Sequence, residues 1–215
     1  VGRTEVEVAN FIEAEFLRKG MRWPAYETIV GSGERSVLLH ARATERVISE
    51  GEIVVVDAGG EWQGYCADIT RTLVAGGKFS EEQRTIVEIV AEAHKAVIAA
   101  VRPGATLAGL HALAQMRLVE GLERLGVAKA KARIADLMPH NTSHWIGLDV
   151  HDPSPYVEES GASIVLRPGM SFTVEPGLYF REREGDLARY FGIGVRIEDD
   201  VLVTESGAEV LSSVP

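Results

Sequence analysis

The chain has 215 residues, a formal net charge of −10 and 46% apolar content, enough to bury a sizeable core as one domain. An acidic balance excludes a general nucleic-acid surface, which needs a basic patch, and the longest apolar runs are too short to span a bilayer. Cys66 is the single cysteine, so an internal disulfide is excluded and a reducing, cytoplasmic location is expected.

Thr4-Glu5-Val6-Glu7 has the pattern of a capping box, and Val8, Phe11, Ile12 and Phe16 continue it as a helix that Gly20 stops. Residues 26–39 predict short strands broken at Gly31-Ser32-Gly33, with His40 at the end of the second. The β-branched run Ile53-Val54-Val55-Val56 predicts a buried strand that carries Asp57 into an apolar interior. A carboxylate there is costly unless it is paired or bound to a cation. Gly64 turns the chain, and Tyr65 to Val74 predicts the return strand with Asp68 on it, so Asp57 and Asp68 come side by side. Two such groups repel unless they share a proton or a metal. The plainer alternative is an Asp57 at a turn and an Asp68 paired with Arg71.

Ser80-Glu81-Glu82-Gln83 is a second capping box, opening a long helix through Ile86, Ile89, Val90, Ala93 and Val97 that Pro103-Gly104 ends. Another helix is predicted over 106–125. His94 and His111, isolated on these helices, are expected to be structural or solvated, and Lys129 to Arg133 a solvated face.

Residues 139–152 hold His140, His144 and His151, three of the six histidines, among Trp145, Ile146, Leu148 and Val150. Imidazoles walled by apolar bulk suit a ligand or proton-carrier role, and satisfied core histidines are the alternative. Asp152-Pro153-Ser154-Pro155-Tyr156 must be a loop. Ser171 to Val174 predicts a strand delivering Glu175, broken by Pro176-Gly177, and 181–190 an exposed charged excursion. Gly192 to Glu198 predicts a strand that continues through Val201 to Val203, with Arg196 and Glu198 on one face. Each half of the chain thus has helix first and then strands carrying two acids. No linker separates the halves, so residues 1–215 are expected to form one domain.

Asp57, Asp68, His144, Glu175 and Glu198, with His40, His140, His151 and Arg196 as neighbours, form an oxygen-rich set without thiolates. It suits manganese, and also zinc, cobalt or ferrous iron, better than a closed structural zinc site. Four carboxylates exceed what one divalent ion balances, so two ions about 3.5–4 Å apart, and metal-assisted hydrolysis, are expected.

At these residues a resemblance becomes specific. Val-Asp57-Ala-Gly, Ala-Asp68-Ile-Thr-Arg-Thr, Ser-His144-Trp-Ile-Gly-Leu-Asp-Val-His151-Asp, Thr-Val-Glu175-Pro-Gly-Leu-Tyr and Val-Arg196-Ile-Glu198-Asp-Asp resemble the pita-bread metallopeptidase family, in its branch of aminopeptidase P and Xaa-Pro dipeptidase (prolidase). The resemblance implies an α+β pita-bread fold, a curved antiparallel sheet flanked by helices in pseudo-twofold halves. It implies Xaa-Pro aminopeptidase activity through a hydroxide bridging two metals, with a proline-second peptide as partner. Asp57 would bind one metal, His144 and Glu175 the other, and Asp68 and Glu198 would bridge. Glu175 would also be the general base, and His40 and His151 would assist at the scissile bond. His140 would line the prolyl pocket, and Tyr179 and Arg196 would support the site.

The sequence departs from the family pattern at Phe191-Gly192, where an Arg-Gly is frequent, and at Pro153-Ser154, where Val-Gly is usual. Ile164 stands where prolidases resemble one another in a carboxylate-gripping arginine, which favours aminopeptidase over dipeptidase. The capping box at Thr4 matches the start of the catalytic domain, so the family's amino-terminal domain is expected to be absent from this chain. Homodimerisation is left open, and a non-catalytic peptide-binding module is the alternative of another class.

Overall fold

Both predicted capping boxes form in the computed structural model, which describes residues 1–212; the last three residues of the expected 1–215 domain lie outside the described residues. The Thr4 hydroxyl accepts from the Glu7 N–H at 3.1 Å and the Glu7 carboxylate accepts from the Thr4 N–H at 2.7 Å, opening α1 (Glu5–Arg18). Strand β1 (Ile29–Ser32) follows, then β2 (Ile53–Asp57), β3 (Glu61–Trp62), β4 (Tyr65–Cys66) and β5 (Thr70–Val74). The β-branched run is central: β2 pairs antiparallel with β1 on one side and β5 on the other, which sets Asp57 opposite Ile29 and Thr70.

Two details differ from the sequence expectation. The second strand expected within 26–39 is a 3-10 turn, Gly33–Val37, because its polar groups are engaged elsewhere. Gly194 N–H donates to Ser36 Oγ at 2.9 Å, and Arg35 reaches Glu5 at 3.1 Å. The strand expected from Tyr65 to Val74 breaks between Cys66 and Thr70, so Asp68 sits in the break and not on a strand. The chain there crosses Gly59 so closely that a Cβ on Gly59 would lie 1.7 Å from the Ala67 carbonyl oxygen. Only glycine admits that approach.

Helices α2 (Glu81–Ala100), α3 (Leu107–Arg124) and α4 (Ala130–Leu137) form the outer layer. Ile86, Ile89, Val90 and Ala93 of α2 pack with Leu118 and Leu122 of α3 against Leu178 and Val195. Full burial of each large aliphatic contributes roughly 1.5–3 kcal/mol. Helix α4 replaces the solvated run expected at 129–133: Ala130, Ile134 and Leu137 are buried on one helical face. Its Arg133 holds Glu182 and Asp186, each at 2.7 Å. The excursion at 181–190 is therefore exposed only in part, since Leu187 and Tyr190 are buried.

The second half repeats the first in outline. After β6 (Ser171–Val174), β7 (Gly177–Tyr179), β8 (Gly194–Arg196), β9 (Asp199–Val203) and β10 (Ala208–Val210), β9 lies between β10 and β6, as β2 lies between β1 and β5. The long strand expected from Gly192 to Val203 breaks at Ile197-Glu198, because β8 pairs with β7 whereas β9 pairs with β6. The halves meet where β5 runs beside β8. Thr72 Oγ1 donates to the Arg196 carbonyl at 2.8 Å, and Glu198 N–H donates to the Thr70 carbonyl at 3.1 Å. The expected α+β architecture of antiparallel sheets and helices stands.

Glu5 fastens α1 to the segments on either side of His40. Its fully buried carboxylate accepts from Ser32 N–H (2.9 Å), Ser32 Oγ (2.7 Å), Thr44 N–H (3.1 Å), Thr44 Oγ1 (2.7 Å) and Arg35 Nε (3.1 Å). Removing it strands these donors, so Glu5→Ala is expected to lower stability by about 3–5 kcal/mol, read from the urea unfolding midpoint. A loss below about 1 kcal/mol would show that the donors find water instead.

Candidate active site

Strand ends from both halves aim acids at one point. Asp57 closes β2, Asp68 leaves the break before β5, Glu175 follows β6 and Glu198 occupies the break between β8 and β9. Tyr26 Oη lies 2.5 Å from Asp57 Oδ1 and 2.6 Å from Asp68 Oδ1. A phenol has one hydrogen, so it donates to one of them, and the other contact needs a carboxyl proton. Asp57 also accepts from Arg196 at 2.6 Å, and Glu198 accepts from Thr70 Oγ1 at 2.6 Å.

His144 faces this group. Its Nδ1 lies 3.1 Å from the Trp145 carbonyl and carries the ring hydrogen there, which turns Nε2 toward Asp68 (3.3 Å) and Glu175 (3.6 Å). A lone pair directed at two carboxylates requires a proton or a cation between them. Ligand atoms of Asp68, His144 and Glu198 all lie within 4.8 Å of one another, and Asp57 and Glu175 border that trio. The donors are carboxylate oxygens and an imidazole with no thiolate among them, a set that fits a hard or borderline divalent cation.

The electrostatics agree. Burial pushes the Glu175 carboxyl up to about 7, with Asp68 and Asp57 adding to it and His144 and Arg196 opposing. Burial raises Asp57 despite Arg196, and raises Glu198 with help from Glu175, Asp68 and Asp57. For His144, burial lowers the pKa, but Asp68 and Glu175 outweigh it and hold the ring above its usual value.

Nine of the ten residues singled out in the sequence line one cavity of about 340 Å³: His40, Asp57, Asp68, His140, His144, His151, Glu175, Arg196 and Glu198. Tyr179 lies directly behind it, 1% exposed. Arg196 donates to Tyr179 Oη at 3.0 Å, and Tyr179 Oη is 3.0 Å from His140 Nε2. The His151 ring stands edge-on to His144 with centroids 4.4 Å apart. The alternative pairing of Asp68 with Arg71 is not formed; Arg71 donates instead to Asp199 at 2.7 Å and to the Glu198 carbonyl at 2.6 Å. His94 is structural, 3.3 Å from Asp199. His111 is structural too, its Nδ1 accepting from the Thr142 N–H at 3.2 Å and so steadying the histidine segment.

Sequence reasoning missed Tyr26, Thr70 and Asp200. Asp200 accepts from the Asp68 N–H at 3.0 Å, and burial pushes its carboxyl up to about 7. Its signal was present as a second acid in a buried strand, whereas a lone phenol or hydroxyl has no spacing to betray it.

Residues 1–205 match the profile of Metallopeptidase family M24. The chain belongs to that family. It is 41% identical over 99% of its length to the Xaa-Pro aminopeptidase of Escherichia coli K12, covering 49% of that enzyme, and 36% identical over its whole length to the human Xaa-Pro dipeptidase, covering 52%. It superposes with a TM-score of 0.91 at 40% identity on a variant of E. coli aminopeptidase P in complex with substrate, spanning 99% of this chain and 49% of that one. The chain therefore spans about half the length of the curated relatives it matches. This likeness identifies the paired three-stranded sheets as the pita-bread fold, and the family makes the acid and imidazole cluster a candidate metal centre.

Glu175 and Asp200, each held at about 7, bind protons more tightly folded than unfolded, where carboxyls titrate near 4. Their contribution to stability is therefore complete below that unfolded value and is lost as the pH rises through about 7. With chelator present, Tm is expected to fall between about pH 5 and 8, and the Tm increment from added manganese to grow over the same span as the cation replaces protons. A chelated Tm that is flat or rising over that range would contradict the buried-acid reading.

Proposed function

We propose that residues 1–215 form one catalytic domain that removes the first residue from peptides with proline in second position, as an Xaa-Pro aminopeptidase. The observation that carries this is the convergence of Asp57, Asp68, His144, Glu175 and Glu198 in one open cavity walled by His40, His140 and His151. The E. coli Xaa-Pro aminopeptidase and the substrate complex of aminopeptidase P support the substrate class.

The five donors would hold two divalent cations, manganese first, with cobalt, zinc or ferrous iron as alternates. When bound, such a pair makes a shared water acidic and polarises the peptide carbonyl. The protein's own groups do the rest. Glu175 takes the proton from the attacking water and later delivers it to the leaving prolyl nitrogen. His40 and His151 donate to the scissile region as negative charge develops there. Arg196 is 4% exposed; it keeps Asp57 oriented and, through Tyr179, fixes the ring of His140, which lines the prolyl pocket.

The human dipeptidase relative makes prolidase the second reading. Against it, Ile164 packs with the apolar cluster around Trp145, so no guanidinium stands there to hold a dipeptide carboxylate. A non-catalytic module is disfavoured because all five donor types are kept. No helix among the described residues is long and apolar enough to cross a membrane, and with one cysteine the cytoplasm is the proposed location. A homodimer is the assembly to be tested by sedimentation.

With manganese, an Xaa-Pro-Xaa tripeptide is expected to be cleaved and an Xaa-Pro dipeptide spared, with chelation abolishing the reaction. Glu175→Gln should lower kcat by about 10²–10⁴-fold. Cleavage of the dipeptide alone would move the assignment to prolidase, and failure to bind any divalent metal would end the enzyme reading.

A further inference from the structure

Two further cavities flank the candidate metal pocket. One, of about 330 Å³, lies on the Asp57 side and is lined by Tyr26, Glu27, Ile29, Arg42, Asp57 and Asp68. The other, of about 290 Å³, shares no lining residue with the first, and Asn141, Ser143 and Tyr156 stand in the wall it shares with the metal pocket. We propose that this second cavity receives the third residue of the peptide and selects an uncharged, apolar side chain there; the proposal rests on the Xaa-Pro aminopeptidase reading.

Charge sets the direction of the peptide. Glu27 is already paired with Arg42 at 2.9 Å, so the ammonium of a first residue is attracted to the side carrying Asp57 and Asp68. The chain beyond the scissile bond then leaves past Asn141 and Tyr156, into the cavity behind them. An extended chain advances roughly 3.3 Å per residue, so a third residue lies about two steps beyond the first, within reach of an adjoining cavity.

The lining decides what that cavity accepts. Leu107 and Ala108 come from the first turn of α3, and Tyr156 and Val157 from the loop closed by the bridge between Val157 and Ser163. Among the described residues, no Asp, Glu, Lys or Arg lines the cavity. His111 is neutral there, because its Nδ1 accepts the Thr142 N–H at 3.2 Å and so carries no hydrogen. A charged side chain or a terminal carboxylate in this cavity would shed water and meet no counter-charge, whereas an apolar side chain loses nothing and covers Leu107 and Val157. The absence of a cation also suits a peptide that continues past proline better than a dipeptide that ends there.

The test compares kcat/KM of the manganese-loaded chain for Ala-Pro-Leu-amide, Ala-Pro-Gly-amide, Ala-Pro-Lys-amide and Ala-Pro-Asp-amide, read as released alanine. The leucine peptide is expected to exceed the other three by roughly tenfold. Ala108→Trp, at an exposed helical position, fills the cavity and should bring the leucine-to-glycine ratio close to one. Val157→Asp, at an exposed loop position, should instead raise the lysine peptide over the leucine peptide, with circular dichroism as the check that both variants fold. Equal values for all four peptides, or a ratio that Ala108→Trp leaves unchanged, would overturn the subsite while leaving the aminopeptidase reading intact. Cleavage of none of the four would overturn both.

Discussion

Four carboxylates gathered under one cavity are the constraint that the rest of the molecule answers. Asp57 and Asp68 are each 6% exposed and Glu198 only 2%. Two like charges about 4 Å apart repel by roughly 4 kcal/mol at an effective dielectric of 20, so the cluster opposes folding whenever it is fully ionised. Arg196 offsets part of this through Asp57, and Tyr26 and Thr70 supply hydrogen bonds. The remainder is met by protons held on the acids or by bound cations. Apolar residues of similar size would serve stability alone, so the cluster marks a site that fits cations.

The cluster sits at the seam of two similar halves, and the seam has its own fastening. Thr70 and Thr72 of β5 bond to Glu198 and to the backbone of β8, so the strand that follows Asp68 also sets Glu198. The two acids after Glu198 serve as a latch across the same seam. Asp199 accepts from Arg71, and Asp200 accepts from the Asp68 N–H, both reaching from the second half into the first. A displacement of one half against the other would therefore move Asp68 and Glu198 together. This acid pair, two bonds across the seam, helps keep the donor spacing.

The acids at strand ends were legible because a β-branched run shows where a buried strand stops, and whatever follows it is delivered inside. Both capping boxes were legible because they are local chemistry between residues three apart. Strand breaks were not: the break that holds Asp68 depends on Ala67 lying against Gly59, and the one that frees Glu198 depends on β8 and β9 choosing different partners. Helix α4 was hidden because Lys129 to Arg133 alternates charge with alanine, and its apolar face appears only when Ile134 and Leu137 are added. Tyr26 was hidden for another reason. It meets Asp57 and Asp68 from 31 and 42 residues away, a contact that only the assembled sheet creates.

The hydrogen-bond chain behind the pocket separates the duties of its three wall histidines. The Asn141 carbonyl can only accept, so the His140 hydrogen sits on Nδ1, 2.8 Å from it. Nε2 of the neutral ring is then an acceptor, and Tyr179 Oη, which itself accepts from Arg196, gives it a hydrogen. Both nitrogens are committed, and burial pulls the ring down to about 4, so it stays neutral. Such a ring offers a substrate its flat face and no proton, which suits a wall against a proline ring. His40 and His151 line the same cavity without a side-chain hydrogen bond among the described residues. Their nitrogens are not spent within the described residues, so the wall divides into one ring whose two nitrogens are already committed and two rings whose nitrogens are not.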